Sequence, residues 1–162
     1  MKHGIVRLLP ALLCCVLLSG CAKPSAPSAA ENSIPFGEEQ VYALAYLGYQ
    51  TPERLDEFQE KYLGGAAVPV HYVSGGDYYL VLPREDVRAV RLYVNDIETD
   101  SSTLFYEQSD ARPFVVQCNV SDIFPDLTVE LVCADETVRF SPFVSLENGE
   151  VLPGERGLLL SE

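Results

Sequence analysis

Between residues 36 and 49 the apolar positions leave no polar face. After Glu38, Glu39 and Gln40 come Val41, Tyr42, Ala43, Leu44, Ala45, Tyr46 and Leu47, and Gly48 follows. The pattern predicts a helix over 36–49, with acids in its first turn against the positive end of the helix dipole and Gly48 as its stop. A helix that is apolar all round has to be buried or sandwiched. A second helix is punctuated more sharply. Thr51 stands at the N-cap position, Pro52 at the first helical position, and Gly64-Gly65 past the end. Leu55, Phe58, Gln59, Tyr62 and Leu63 recur at helical spacing, while Glu53, Asp56, Glu57, Glu60 and Lys61 take the wet face.

From Val68 onward the period drops to two. Val68, Val70 and Tyr72 alternate with Pro69 and His71, and the turn Ser74-Gly75-Gly76-Asp77 predicts a hairpin into a strand over 78–82. Val90, Leu92 and Val94 alternate with Arg91 and Tyr93, and a short strand is expected over 103–106. Phe114, Val116, Cys118 and Val120 alternate with Gln117 and Asn119; Val129, Leu131 and Cys133 alternate with Thr128 and Glu130. Val138 and Phe140 continue the pattern up to Pro142, and Leu146 and Val151 flank the hairpin signal Glu147-Asn148-Gly149-Glu150. Helices followed by strands predict an α+β domain over 34–162: two N-terminal helices packed on an antiparallel β-meander, as a sandwich or a partly open barrel.

The segment before this domain has a different character. Lys2 and Arg7 precede an apolar run over 8–18, which ends in Leu18-Ser19-Gly20-Cys21. The run is about half the roughly 20 residues that a spanning helix needs. These features resemble the signal peptide and lipobox of bacterial lipoproteins. The resemblance covers residues 1–21 alone. It implies removal of residues 1–20, lipidation of Cys21 as the first residue of the mature chain, and an extracytoplasmic protein held to a membrane by lipid. Cys14 and Cys15 would leave with the leader. Residues 23–33, KPSAPSAAENS, hold almost nothing to bury and read as a flexible tether.

The chain carries a net charge of −13, and the leader contributes two basic residues and no acid, so the mature protein is more acidic still. Such a balance argues against nucleic acid, whose phosphates require clustered Lys and Arg. It also holds the domain off anionic lipid headgroups.

Candidate chemistry is sparse. Cys118 and Cys133 share the inward parity of two strands that a hairpin around Pro125-Asp126 would join, which places them opposite each other as a possible disulfide in an oxidising location. Asp96, Glu98 and Asp100 offer oxygen ligands at alternate positions, and Glu107 falls where the bidentate acid of a calcium loop would stand. Ser101 replaces the turn glycine of such a loop, so the match is partial and calcium is the single cofactor suggested. His71 is the only histidine beyond the leader and reads as a half-exposed strand residue with no nucleophile at hand. Tyr42, Tyr46 and Tyr49 recur at helical spacing and are expected to dock the first helix, with Tyr79 and Tyr93 outward on strands. No serine-hydrolase, zincin or phosphate-loop motif is present. The expected function is therefore binding, with another envelope protein, a peptide or a wall glycan as partner. A hydrolase using dispersed carboxylates and a purely structural lipoprotein are the alternatives.

Overall fold

The computed structural model describes residues 33–49, 52–120, 125–144 and 151–161. The chain runs β1 (Tyr42–Gly48), α1 (Pro52–Leu63), β2 (Val70–Tyr72), β3 (Asp77–Pro83), β4 (Ala89–Asp96), β5 (Ser101–Gln108) and β6 (Phe114–Cys118). It continues through β7 (Leu127–Val132), β8 (Thr137–Phe140), β9 (Phe143–Val144), β10 (Val151–Leu152) and β11 (Gly157–Leu159). A five-stranded sheet has the order β11-β1-β3-β6-β2, a four-stranded sheet the order β5-β4-β7-β8, and β9 and β10 form a two-stranded ribbon.

The helix expected over 36–49 is strand β1, seated between β11 and β3. Tyr42, Leu44 and Tyr46 face a core shared with the four-stranded sheet, whereas Ala43, Ala45 and Leu47 face a second core under α1. A strand covered on both faces is apolar at every position, and so is a buried helix, so periodicity cannot separate them. The small side chains of Ala43 and Ala45 leave room for Phe58, which α1 buries together with Leu55, Tyr62 and Leu63 on that face. The helix itself follows its punctuation. Pro52 opens it, and Gly64 and Gly65 end it with φ of 58° and 76°, values that favour glycine. Thr51 lies outside the described residues.

The four-stranded sheet covers the other face. Val90 and Leu92 of β4, Val129 and Leu131 of β7, and Phe140 of β8 pack against Tyr42, Leu44, Tyr79, Val81, Phe114 and Val116. Tyr42 stacks on Phe140 with ring centroids 3.8 Å apart, and its hydroxyl accepts the Gly154 N–H at 2.6 Å. The result is a β-rich domain of three layers: helix, mixed sheet, antiparallel sheet. One helix is present among the described residues where two were expected.

The meander holds only in the four-stranded sheet, where β4–β5 and β7–β8 are antiparallel neighbours. In the other sheet β11 runs parallel to β1, and β2 runs parallel to β6. The hairpin expected at 74–77 does not pair β2 with β3, because β6 lies between them. Gly76 packs so tightly on the end of β6 that a Cβ there would lie 2.3 Å from the Cys118 carbonyl oxygen. Ser74 Oγ accepts the Asn119 N–H at 2.9 Å, and Gln117 Nε2 donates to the Gly76 carbonyl at 3.0 Å. The turn is thus tied to β6 and does not close a two-strand hairpin. β9 and β10 pair antiparallel, while the Asn148-Gly149 turn lies outside the described residues.

Among the described residues no helix covers the outer face of the four-stranded sheet. A row of alternating charge crosses it in register: Glu107 on β5, Arg91 on β4, Glu130 on β7 and Arg139 on β8. Arg91 donates to Glu107 at 2.7 Å and to Glu130 at 2.9 Å, and Arg139 donates to the other Glu130 oxygen at 2.6 Å. The Glu130 side chain is only 4% exposed. Burial by itself would raise its carboxyl, but the guanidinium hydrogen bonds outweigh this and hold it below the usual value of 4.5. Glu130→Ala is expected to cost about 1–3 kcal/mol in urea unfolding, the worth of hydrogen bonds to charged groups. Because the folded carboxyl titrates low, this contribution is complete at neutral pH and is lost as pH falls through its depressed folded pKa. Glu130→Gln should remove that share of the acid sensitivity.

Candidate functional site

At one end of the sandwich, the β4–β5 turn and the entry to β7 enclose a cleft of about 460 Å³. Asn95 is its frame. The Asn95 side-chain amide donates to the Pro125 carbonyl at 3.0 Å and to Thr128 Oγ1 at 2.9 Å, while its oxygen accepts from Ser102 Oγ at 2.7 Å. The Asn95 backbone N–H reaches the Asp126 carbonyl at 2.9 Å. One side chain therefore ties β5, β4 and the β7 entry together.

Three carboxylates line the cleft, those of Asp96, Asp100 and Asp126, together with the hydroxyls of Ser101, Ser102 and Thr128. Asp96 Oδ1 accepts the backbone N–H of Glu98 at 2.8 Å and of Thr99 at 3.3 Å, an Asx-type turn. Asp100 sits at φ 49°, in the left-handed region that aspartate tolerates best after glycine and asparagine. Asp126 Oδ2 accepts from Ser74 Oγ at 2.6 Å. Among the described residues no lysine or arginine lines the cleft. Such a wall offers acceptors and negative charge, which suits a cationic or donor-rich ligand.

The residues expected to bind calcium are only partly brought together. Asp96 and Asp100 reach the cleft, and Glu98 stands exposed in the turn. Glu107 pairs opposite Arg91, whereas Asp96 pairs opposite Ser101, six positions away along β5. At about 3.4 Å per residue that is roughly 20 Å, because a straight hairpin stands where a calcium loop would curl round its ion. Among the described residues no group of three or more acidic, histidine or cysteine side chains is arranged to hold a metal ion. Asp126 was read only as part of a turn; nothing in its spacing links it to Asp96 and Asp100.

The disulfide expected between Cys118 and Cys133 is not formed, and both are free, buried thiols. Their strands lie in different sheets. Cys118 pairs with Asp77 at the start of β3, while Cys133 lies near Arg84 and Asp86 beyond the end of that seven-residue strand. A strand of that length spans about 23 Å, far beyond the reach of a bridge. Burial, with the charges of Asp126 and Asp77 adding to it, pushes the Cys118 thiol up to about 12. Such a thiol is a packing group rather than a nucleophile.

Of the tyrosines, Tyr42, Tyr46 and Tyr79 belong to the sandwich core, and Tyr49 is exposed. Tyr93 points outward as expected, with the Arg139 guanidinium 5.7 Å over its ring. His71 takes the parity opposite to the one its strand suggested. Val70 and Tyr72 are exposed, and His71 turns inward against Tyr106, with ring centroids 4.0 Å apart, and the edges of Phe105 and Phe114. Its Nε2 is buried without a hydrogen-bond partner. Cys21 lies outside the described residues, and among those described no helix is long and apolar enough to cross a membrane.

Burial lowers the His71 pKa from its ordinary 6.5, because the imidazolium would sit among aromatic rings. The unfolded chain binds the proton more readily, so stability is full above about 6.5 and falls as pH drops toward the lowered folded value. Melting curves between pH 7 and 5 should show this loss, and His71→Phe should flatten it.

Comparison with protein-family models, with curated proteins and with solved structures finds no match to this chain.

Proposed function

We propose that this chain is a lipid-tethered, extracytoplasmic binding protein whose cleft takes the basic side chains of an envelope protein or peptide. The observation that carries the reading is the cleft itself: Asp96, Asp100 and Asp126 line it, and none of the described residues that line it is basic. A chain of net charge −13 adds a long-range field of the same sign, which attracts cations and repels the anionic membrane to which the tether holds it. The lipobox-like Leu18-Ser19-Gly20-Cys21 and the spacer over 23–33 support a domain held at a bilayer but clear of it.

A peptide fits better than a wall glycan. Among the described residues that line the cleft none is aromatic, so a sugar has no ring to stack on there. Binding also fits better than hydrolysis. Turn amides hold one oxygen of Asp96 and Ser74 holds one of Asp126, which fixes both carboxylates as acceptors in the cleft wall.

Binding of fluorescent octalysine to the full chain tests the reading, with octaglutamate as control. Affinity is expected to weaken as salt rises. Asp100→Asn with Asp126→Asn should weaken it roughly tenfold, at about 0.5–1 kcal/mol for each exposed charge. Equal affinity in the double variant would remove the cleft from the binding site. A purely structural lipoprotein would bind neither peptide. The anchor has its own test: Cys21→Ser should abolish incorporation of labelled fatty acid and move the protein from the detergent to the aqueous phase in a phase partition.

A further inference from the structure

We propose that the basic partner adds to the molecule as a strand, paired through its main chain to the free edge of β5. The inference rests on the binding reading above and specifies the form the ligand takes. β5 has eight residues, whereas the other edge strands of the two sheets, β8, β2 and β11, have four, three and three. Among the described residues no strand lies beyond it. Exposed edges are commonly guarded by lysine, proline or short length. The sequence SSTLFYEQ has neither lysine nor proline and is not short, and a bulge, the other common guard, touches only its second half. Its one irregularity falls between Leu104 and Tyr106, opposite Leu92 and Tyr93, and makes Phe105 the extra residue of a bulge. The stretch 101–104 stays regular and ends at the cleft, where Ser101 and Ser102 form part of the wall.

Charge selects the occupant. Asp96, Glu98 and Asp100 stand at one end of β5, and Glu107 and Asp110 at the other. The arginines close to that second end, Arg91 and Arg112, are bonded to Glu107 and Asp110 at 2.7 and 2.8 Å. A second copy of the chain would bring the same acids, on a body of charge −13, against this edge. A basic strand meets the opposite field. Side chains of an added strand alternate between faces. One set would lie beside Leu104 and the cleft on the outer face, and the other at the open mouth of the sandwich, where Phe105 is 39% exposed and meets His71. An extended segment alternating basic and apolar residues satisfies both, in the manner of strand addition.

The probe is the octapeptide (Lys-Val)4, capped at both ends and titrated into the full chain, with a series carrying one N-methyl amide at each position in turn. The protein itself is left unaltered, so no loss can be blamed on misfolding. Strand addition predicts tenfold or greater weakening at every second residue of the central stretch and near-parent affinity at the residues between. A flat series, with binding still sensitive to salt and to Asp126→Asn, overturns strand addition and leaves the cleft reading intact. A parent peptide that fails to bind, or binds regardless of that substitution, overturns both. Self-association of the chain that octapeptide does not compete away would assign the edge to a second copy and overturn the proposal.

Discussion

The pair β1–β3 is buried on both sides, and the other layers are placed by that requirement. Leu44 and Val81 turn one way, Ala45 and Leu80 the other, and each set needs its own cover. On one side the cover is a single amphipathic helix, adequate because Ala43 and Ala45 are small and Phe58 supplies the bulk. On the other side a broader surface, with Tyr79, Phe114 and Val116, needs a whole second sheet. That second sheet has no further layer over it among the described residues, so its outer face must be stabilised from within. The alternating row of Glu107, Arg91, Glu130 and Arg139 does this, each charge meeting its opposite across a strand boundary. The face left to solvent is therefore electrostatically self-satisfied along that row, while at the tip Asp96, Asp100 and Asp126 line a cleft with no basic residue among its described lining.

Asn95 explains why the tip is a cleft rather than a loose turn. Its side chain and backbone together hold Ser102, Thr128, the Pro125 carbonyl and the Asp126 carbonyl. Fixing the turn this way costs chain entropy that the hydrogen bonds offset, and it leaves Asp100 and Asp126 on the cleft wall beside Asp96, which the turn amides of Glu98 and Thr99 hold in place. Ser74 extends the frame into the other sheet through Asp126. The acidic wall is consequently a property of both sheets.

The strands of the outer sheet were legible because one of their faces is solvated: Val129 and Leu131 against Thr128 and Glu130 is the alternation that such strands must show. Strand β1 was not, because its solvent is protein on both sides. The same cause hid the pairing of β6. Phe114, Val116 and Cys118 face the sandwich core as their alternation implies, but Val115 is buried under α1 as well, and nothing in the pattern says that β6 pairs with β2 and β3 while β7 joins the other sheet. From that one topological fact follow both the separation of Cys118 from Cys133 and the failure of the β2–β3 hairpin. In the site, Asp96 and Asp100 were legible as a local acidic turn, whereas Asp126 is 26 positions further on and arrives through sheet topology. The inward turn of His71 was likewise beyond reach, since a three-residue edge strand carries too little alternation to fix its own parity.

The negative charge of the chain bears on more than ligand choice. In the lipid-tethered protein that we propose, a long apolar-tinged edge such as β5 is a hazard, because tethering raises the local concentration of copies. Lysine, the usual guard of an edge, would protect it from other copies but also repel any basic partner. Asp96, Glu98 and Asp100 at the turn end of β5 oppose other copies through like-charge repulsion and leave the main chain open, whereas Glu107 and Asp110 at the other end are paired with Arg91 and Arg112. That discrimination depends on ionic strength. With a screening length near 8 Å under physiological salt, only acids close to the edge act on an approaching strand. Asp96 and Asp100 adjoin the start of β5, so their field survives screening where that of the remaining acids fades. Local placement, more than the total of −13, is what keeps the edge selective.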